Sequence, residues 1–134
     1  MTVVPDLLPV RLPPGADLRR ALEAAGAAGA FVVSGMGSLR DAQIRFAGAT
    51  QATTIAGDVE IISIAGAITA DGAHLHMAVA DADGKVTGGH IVYGNTVRTT
   101  AEVLLMLTPD HRLSREFDAA TGFAELVVRS PPPK

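Results

Sequence analysis

Three of the four histidines in this chain lie between residues 74 and 90, in the stretch HLHMAVADADGKVTGGH. His74 and His76 are separated by one residue, and His90 follows a turn-rich segment and two glycines. Three imidazoles on one face make a nitrogen donor set with an open coordination position. Such a set suits zinc, and also nickel, iron or copper. The open position would let the ion activate water or polarise a carbonyl. The plainer alternative makes His74 and His76 solvent-facing strand residues and His90 incidental.

Geometry decides between these readings. If AHLHMAV is extended, the period of two puts His74 and His76 on one face. The segment DADG has the chemistry of a hairpin turn, with aspartates at turn positions and Gly84 available for positive φ. A three-residue loop at 82–84 makes His76 and His90 direct cross-strand partners. A two-residue turn at Asp83-Gly84 puts His76 opposite Ile91 and turns His90 to the other face. A bulge at Gly88-Gly89 could also re-aim His90. The sequence leaves this parity open.

Other polar residues invite similar questions. In GNTVRTTAEV, an extended backbone places Arg98, Thr100 and Glu102 on one face. Arg98 and Glu102 are the candidate catalytic pair, Arg98 to hold an anionic group and Glu102 to move a proton. The structural alternative is an ion pair. Glu60, between Val59 and Ile61, raises the same question, and His111 beside Pro109 and Asp110 reads as surface. SGMGSLR has a GxG pattern, but Arg40 stands where a dinucleotide fingerprint needs its third glycine, so a tight turn is expected there. DADGKVTGGHIV opens like a calcium loop but ends in Val92 where a glutamate is required. No G-x-S-x-G elbow is present, so a serine triad has no support.

The elements that would carry these residues follow from patterning. DLRRALEAAGAAG reads as a helix, with Asp17 as N-cap, a stripe at Leu18, Ala21, Leu22 and Ala25, and Gly26 or Gly29 as the stop. Strands are expected at 31–33, 39–46, 59–69 (buried on both faces), 73–81, 85–95 and 123–129. The run 99–110 fits either a strand or a helix, and a turn or short helix is expected before residue 123. Residues 1–16 read as an irregular or extended lead-in, and PPPK as a mobile tail. The 134 residues are the size of one domain, with a core at about 5–129. The fold class is α+β: one domain on a mostly antiparallel sheet with one main helix near the N-terminus. Four Phe, one Tyr and no Trp predict an aliphatic core. With no cysteine, disulfides and thiolate metal sites are excluded. The formal charge of −3 and the scattered arginines make no basic run of the kind that grips phosphate. No apolar run is long enough for a membrane span, so a cytoplasmic location is expected.

The segments GMGSLRDAQIRF, VEIISIAGAITADGAHLHMAVADADGKVTGGHIVYGNTVRTTAEVLL and FDAATGFAELVV closely resemble the plants-and-prokaryotes-conserved (PPC) domain. The resemblance covers residues 5 to 129. It implies a compact α+β domain on an antiparallel sheet that assembles as a homotrimer. In plant members the domain is attached to AT-hooks that grip the DNA minor groove, and bacterial members carry a DNA-binding label by that association. This chain has no R-G-R-P hook, which argues against direct DNA binding. The plant partner-binding hexapeptide Gly-Arg-Phe-Glu-Ile-Leu aligns with Gly57-Asp58-Val59-Glu60-Ile61-Ile62, departing at Asp58 and Val59. The resemblance also implies that His74, His76 and His90 are ligands of a divalent metal, zinc in the first instance. A similarity of architecture to acetolactate decarboxylase, a three-histidine zinc enzyme, suggests a metal-dependent lyase or hydrolase by analogy. The expected function is a metal-binding trimer acting on a small, anionic molecule. The alternative is a regulatory scaffold associated with DNA.

Overall fold

A computed structural model describes residues 6–130; the lead-in at 1–5 and the tail at 131–134 lie outside the described residues. The chain runs β1 (Asp6–Leu12), α1 (Leu18–Ala25), β2 (Ala30–Arg45), β3 (Thr53–Thr69), β4 (Gly72–Ala80), β5 (Val86–Ile91), β6 (Thr96–Leu107), β7 (Arg112–Asp118) and β8 (Phe123–Arg129). The first six strands form one antiparallel sheet in the order β1-β6-β2-β3-β4-β5, and β7-β8 is a separate hairpin. This is the expected α+β architecture with one N-terminal helix.

The sheet closes on itself. Strand β2 is 16 residues long and serves two neighbours on one edge. Its first part pairs with β6, and its end, at Ile44 and Arg45, pairs with Ile91 and His90 of β5. The other edge pairs with β3 along most of its length. Strands β2, β3, β4 and β5 therefore make a closed circuit, whose inner face is filled by aliphatic side chains. Leu39, Ile44, Ile68, Leu75, Val79, Ile91, Val97 and Leu105 are all essentially inaccessible. Helix α1 adds Leu18 and Leu22, which sit one turn apart and are fully buried. Its start is set by Asp17, whose Oδ1 accepts the Arg20 N–H at 3.1 Å while Oδ2 accepts the Gly94 N–H at 2.7 Å.

Three elements differ from the sequence reading. Gly35 and Gly37 do not bracket a turn but lie inside β2. A Cβ at Gly37 would come within 2.6 Å of the Thr100 carbonyl oxygen, so this glycine serves close contact between strands. Strand β3 buries Val59, Ile61, Ile64 and Ile68 but exposes Glu60 and Ile62, so one face is open. The turn expected before residue 123 spans 119–122, but an unexpected strand, β7, precedes it; the run 99–110 takes the strand alternative as far as Leu107, in β6.

Asn95 is the buried polar residue that ties the circuit together. Its Nδ2 donates to the carbonyls of Gln43 (2.9 Å) and Val92 (3.0 Å), and its Oδ1 accepts the Gln43 N–H at 2.8 Å. The two bonds to Gln43 fix the link before β6 to the end of β2, and the bond to Val92 shapes the link itself. Replacing Asn95 by Ala leaves buried backbone groups of Gln43 without partners. The expected loss is about 2–3 kcal/mol of unfolding free energy, read by urea denaturation of N95A against wild type.

Candidate metal centre

The β4–β5 hairpin resolves the parity question. Asp81 closes the turn: its backbone N–H donates to Lys85 O at 3.0 Å. Its Oδ1 accepts the N–H groups of Asp83 and Lys85, each at 2.9 Å. Gly84 takes φ +79° within the resulting three-residue loop. That loop makes His76 and His90 direct partners, with no bulge at Gly88-Gly89. Their ring centroids are 4.6 Å apart, and His74 lies 5.0 Å from His76 and 5.4 Å from His90. One ring nitrogen from each histidine lies within 4.8 Å of the others, close enough together to hold a metal ion. His74 and His76 are exposed and His90 is half-buried, so one side of the cluster faces solvent.

Glycines let the three strands approach. Gly66 lies between the residues of β3 that face His74 and His76, with φ +142°, and a Cβ there would sit 2.1 Å from the His74 carbonyl oxygen. Gly89, beside His90, presses on β2. Its Cβ would meet Ile44 Cγ2 at 2.7 Å and Arg45 O at 2.8 Å.

The surroundings orient the rings. His90 Nδ1 is 3.1 Å from the Arg45 carbonyl oxygen. With the proton on Nδ1 donated to that carbonyl, Nε2 is left as the metal donor. Arg19 of α1 donates from one guanidinium nitrogen to Ala73 O (2.9 Å) and from another to Ile91 O (3.1 Å). Those carbonyls belong to the neighbours of His74 and His90, so one side chain sets the spacing of two histidines. Glu23, one turn on, accepts the Ala73 N–H at 3.0 Å and the Tyr93 hydroxyl at 2.7 Å. The Tyr93 ring stacks on the Arg19 guanidinium 4.5 Å from its centroid. Sequence reasoning did not find these residues. The i,i+4 spacing of Arg19 and Glu23 marks a helix-surface pair but not its reach into β4 and β5.

Electrostatics favour the neutral forms of His74 and His76. His74 titrates below the ordinary histidine range, first through loss of water around the ring, then through the positive charge of Arg115 and the other two histidines. Glu125 opposes this shift. His76 is lowered by loss of water and then by His90. Neutral rings are the form that binds metal.

Strand β6 does place Arg98, Thr100 and Glu102 on the face opposite its buried Val97, Ala101 and Val103. They stand apart from the histidines within one chain. Arg98 pairs with Asp58 at 2.9 Å, and Asp58 also approaches Arg40 at 3.6 Å. Glu102 lines a different depression with Arg11, Met36 and Ile62. The cavity that contains His74 and His90 measures about 720 Å³ and is lined instead by Arg19, Arg45, Arg115, Asp71 and Glu125. His111 is exposed in the β6–β7 turn, as expected.

A closed antiparallel α+β domain with a three-histidine cluster on its outer face is the class these observations define. Residues 5–109 match the Plants and Prokaryotes Conserved (PCC) domain, and the chain belongs to that family. It is 34% identical to a hypothetical protein from Salmonella enterica, with a TM-score of 0.89 and 97% of each chain covered. A metal-containing protein from Archaeoglobus fulgidus is 26% identical, with a TM-score of 0.77 over 95% of this chain and 99% of that one. A candidate DNA-binding protein from Bacteroides thetaiotaomicron shares the fold at 19% identity and a TM-score of 0.79, over 94% of each chain. In sequence, the chain is 39% identical over 141 residues to the bifunctional protein GlmU of Synechococcus sp.. That alignment takes in 96% of this chain but only 22% of the relative, so the chain spans about a fifth of that protein's length.

Two outcomes follow from the geometry. Replacing Arg19 by Ala frees the carbonyls of Ala73 and Ile91 without touching a ligand. Zinc affinity should fall about tenfold, measured by competition with a chromophoric chelator. The second concerns pH in the metal-free chain. The folded state holds His74 and His76 with lowered pKa values, so the unfolded state binds protons first as pH falls. Stability should therefore be full above about pH 6.5, the unfolded value, and decline as pH drops through the lowered folded values. Urea midpoints between pH 8 and pH 5 should show this decline, and it should flatten in H74A/H76A.

Proposed function

We propose that this chain is a metal-binding domain in which His74, His76 and His90 hold one divalent ion, with zinc the expected occupant. The observation that carries this reading is the approach of three imidazole nitrogens to within 4.8 Å on paired strands. A donor set of three neutral imidazoles matches zinc sites that keep a position open for water or substrate. When bound, the ion supplies Lewis-acid polarisation or an activated water. The chain's own part is to orient the rings through Arg45 O and Arg19 and to hold a small anionic molecule beside them. A metal-dependent lyase or hydrolase is the enzyme class in view. The metal-containing relative from Archaeoglobus fulgidus supports the metal reading without naming the ion. No described helix is long and apolar enough to cross a membrane, and we take the cytoplasm as the working compartment.

Assembly as a homotrimer belongs to the same proposal. Cross-strand partners Leu7, Met106, Phe31, Ala67 and His74 form a row across five strands on one face. Leu7, Phe31 and Met106 in this row are exposed, as are Val33, Met36 and Ile62. An apolar face of this extent is suited to covering by another subunit. Arg98 and Glu102 would then act on the ion's open position across a subunit boundary, as groups from a neighbouring copy.

A DNA-associated scaffold is the second reading, supported by family association. Net charge of −3 weighs against a phosphate-binding face. A gel-shift titration at two salt concentrations separates the readings, because DNA binding through phosphate contacts should weaken steeply with salt.

Protein purified without a histidine tag should contain near one zinc or similar ion per chain by plasma mass spectrometry. H74A/H76A/H90A should contain none while keeping the wild-type mass in light scattering. Metal retained by the triple variant would refute the site.

A further inference from the structure

The hairpin β7–β8 lies beyond the family-matched segment, which ends at residue 109, yet it forms one wall of the histidine cavity. It is anchored at two points: Leu113 is buried, and the Arg115 N–H donates to Asp71 Oδ2 at 2.9 Å. Those anchors direct the Arg115 side chain into the cavity beside His74. Its Nε is buried and has no hydrogen-bond partner among the described residues. A guanidinium N–H shut away from water without an acceptor costs free energy, so this group is set for an acceptor the chain itself does not supply. Arg45 also lines the cavity and spends one donor on Ala49 O at 3.1 Å. Arg19 completes the cationic lining, with its other donors committed to Ala73 and Ile91. Three arginines thus face two carboxylates, Asp71 and Glu125, before any metal ion adds its charge.

We propose that this cavity binds a small oxyanion, a carboxylate or a phosphate, placed between the open position of the histidine-bound ion and the Arg115 guanidinium. This rests on the metal reading above. A guanidinium fork and a cation with a free position both favour a planar or tetrahedral oxygen anion, and a volume of about 720 Å³ admits a small metabolite. Glu125 lies on the same wall and opposes negative charge, so the two hairpin residues have opposite effects on affinity. Ligand selection is thereby assigned to Arg115 and Glu125, outside the matched family segment.

The test uses the full chain loaded with Co²⁺, whose visible spectrum reports ligands entering its coordination sphere. Malonate and inorganic phosphate are titrated in turn, with cobalt content measured in every sample. At least one anion should shift the spectrum saturably, and which one does so distinguishes carboxylate from phosphate. R115Q should weaken that binding about tenfold or more, and E125Q should leave it equal or tighter. Circular dichroism and cobalt content serve as folding checks, and R115K tests whether charge without the fork suffices. A chain that takes up no cobalt overturns the metal reading and this proposal with it. A chain that loads cobalt but responds to neither anion overturns the proposal alone. Equal affinity in wild type and R115Q, with cobalt bound, does the same.

Discussion

Side chains on a strand alternate with a period of two, so one residue more or fewer between Ala80 and Val86 would turn His90 to the opposite face. Everything proposed for this chain depends on that count. Asp81 enforces it by accepting two backbone N–H groups with one carboxylate oxygen, which gives a short loop a defined shape. Gly84 supplies the left-handed residue that such a loop requires. The hydrophobic pattern enforces it again from the other side. His76 and His90 face outward because Leu75, Met77 and Ile91 are buried inward. A one-residue slip of β5 against β4 would expose Ile91 and bury the His90 imidazole, so the core and the site select the same pairing.

Register alone brings the strands into line, but the distance between imidazoles also depends on how closely the backbones approach. Gly66 and Gly89 remove the two Cβ atoms that would hold β4 off β3 and β5 off β2. Arg19 then grips β4 and β5 from the helix, and its partner Glu23 takes the Ala73 N–H. The helix is therefore more than a plug for the core. Leu18 and Leu22 fix its rotation by burial, and that rotation aims Arg19 at the strand ends. Packing on one face of α1 is converted into spacing at the histidine site.

Much of this was legible in the sequence, for identifiable reasons. Helix α1 announced itself through Asp17 and an apolar stripe at helical spacing. The pair His74 and His76 could be placed on one face because alternation is a local property. His90 could not, since its face depends on a loop geometry for which Asp81 and Gly84 allow more than one length. Gly35 and Gly37 misled because glycine marks turns and close strand contacts alike, and only the position of Ala101 on β6 distinguishes them. Strand β7 was missed for a related reason: it finds its partner in β8 across the expected turn, and its short polar-apolar mixture carries no helical or strand period strong enough to decide. Arg19, Arg45 and Arg115 come from three distant segments, and their convergence on one cavity exists only in the fold.

That convergence changes the meaning of the chain's acidity. A net charge of −3 describes the average surface and speaks against an extended nucleic-acid footprint. It does not describe the histidine cavity, where three guanidinium groups gather beside His74, a ring held below its ordinary pKa range by lost water and then by Arg115. The three-histidine cluster presents ring nitrogens to a cation, while the adjoining wall presents N–H donors to an anion. Neither half explains the other. A structural metal would need no guanidinium with an unpartnered, buried Nε beside it, and a simple anion pocket would need no three-histidine cluster. A small oxygen anion coordinated to the ion satisfies both halves, because it neutralises the positive charge that the ion and Arg115 would otherwise set against each other at short range.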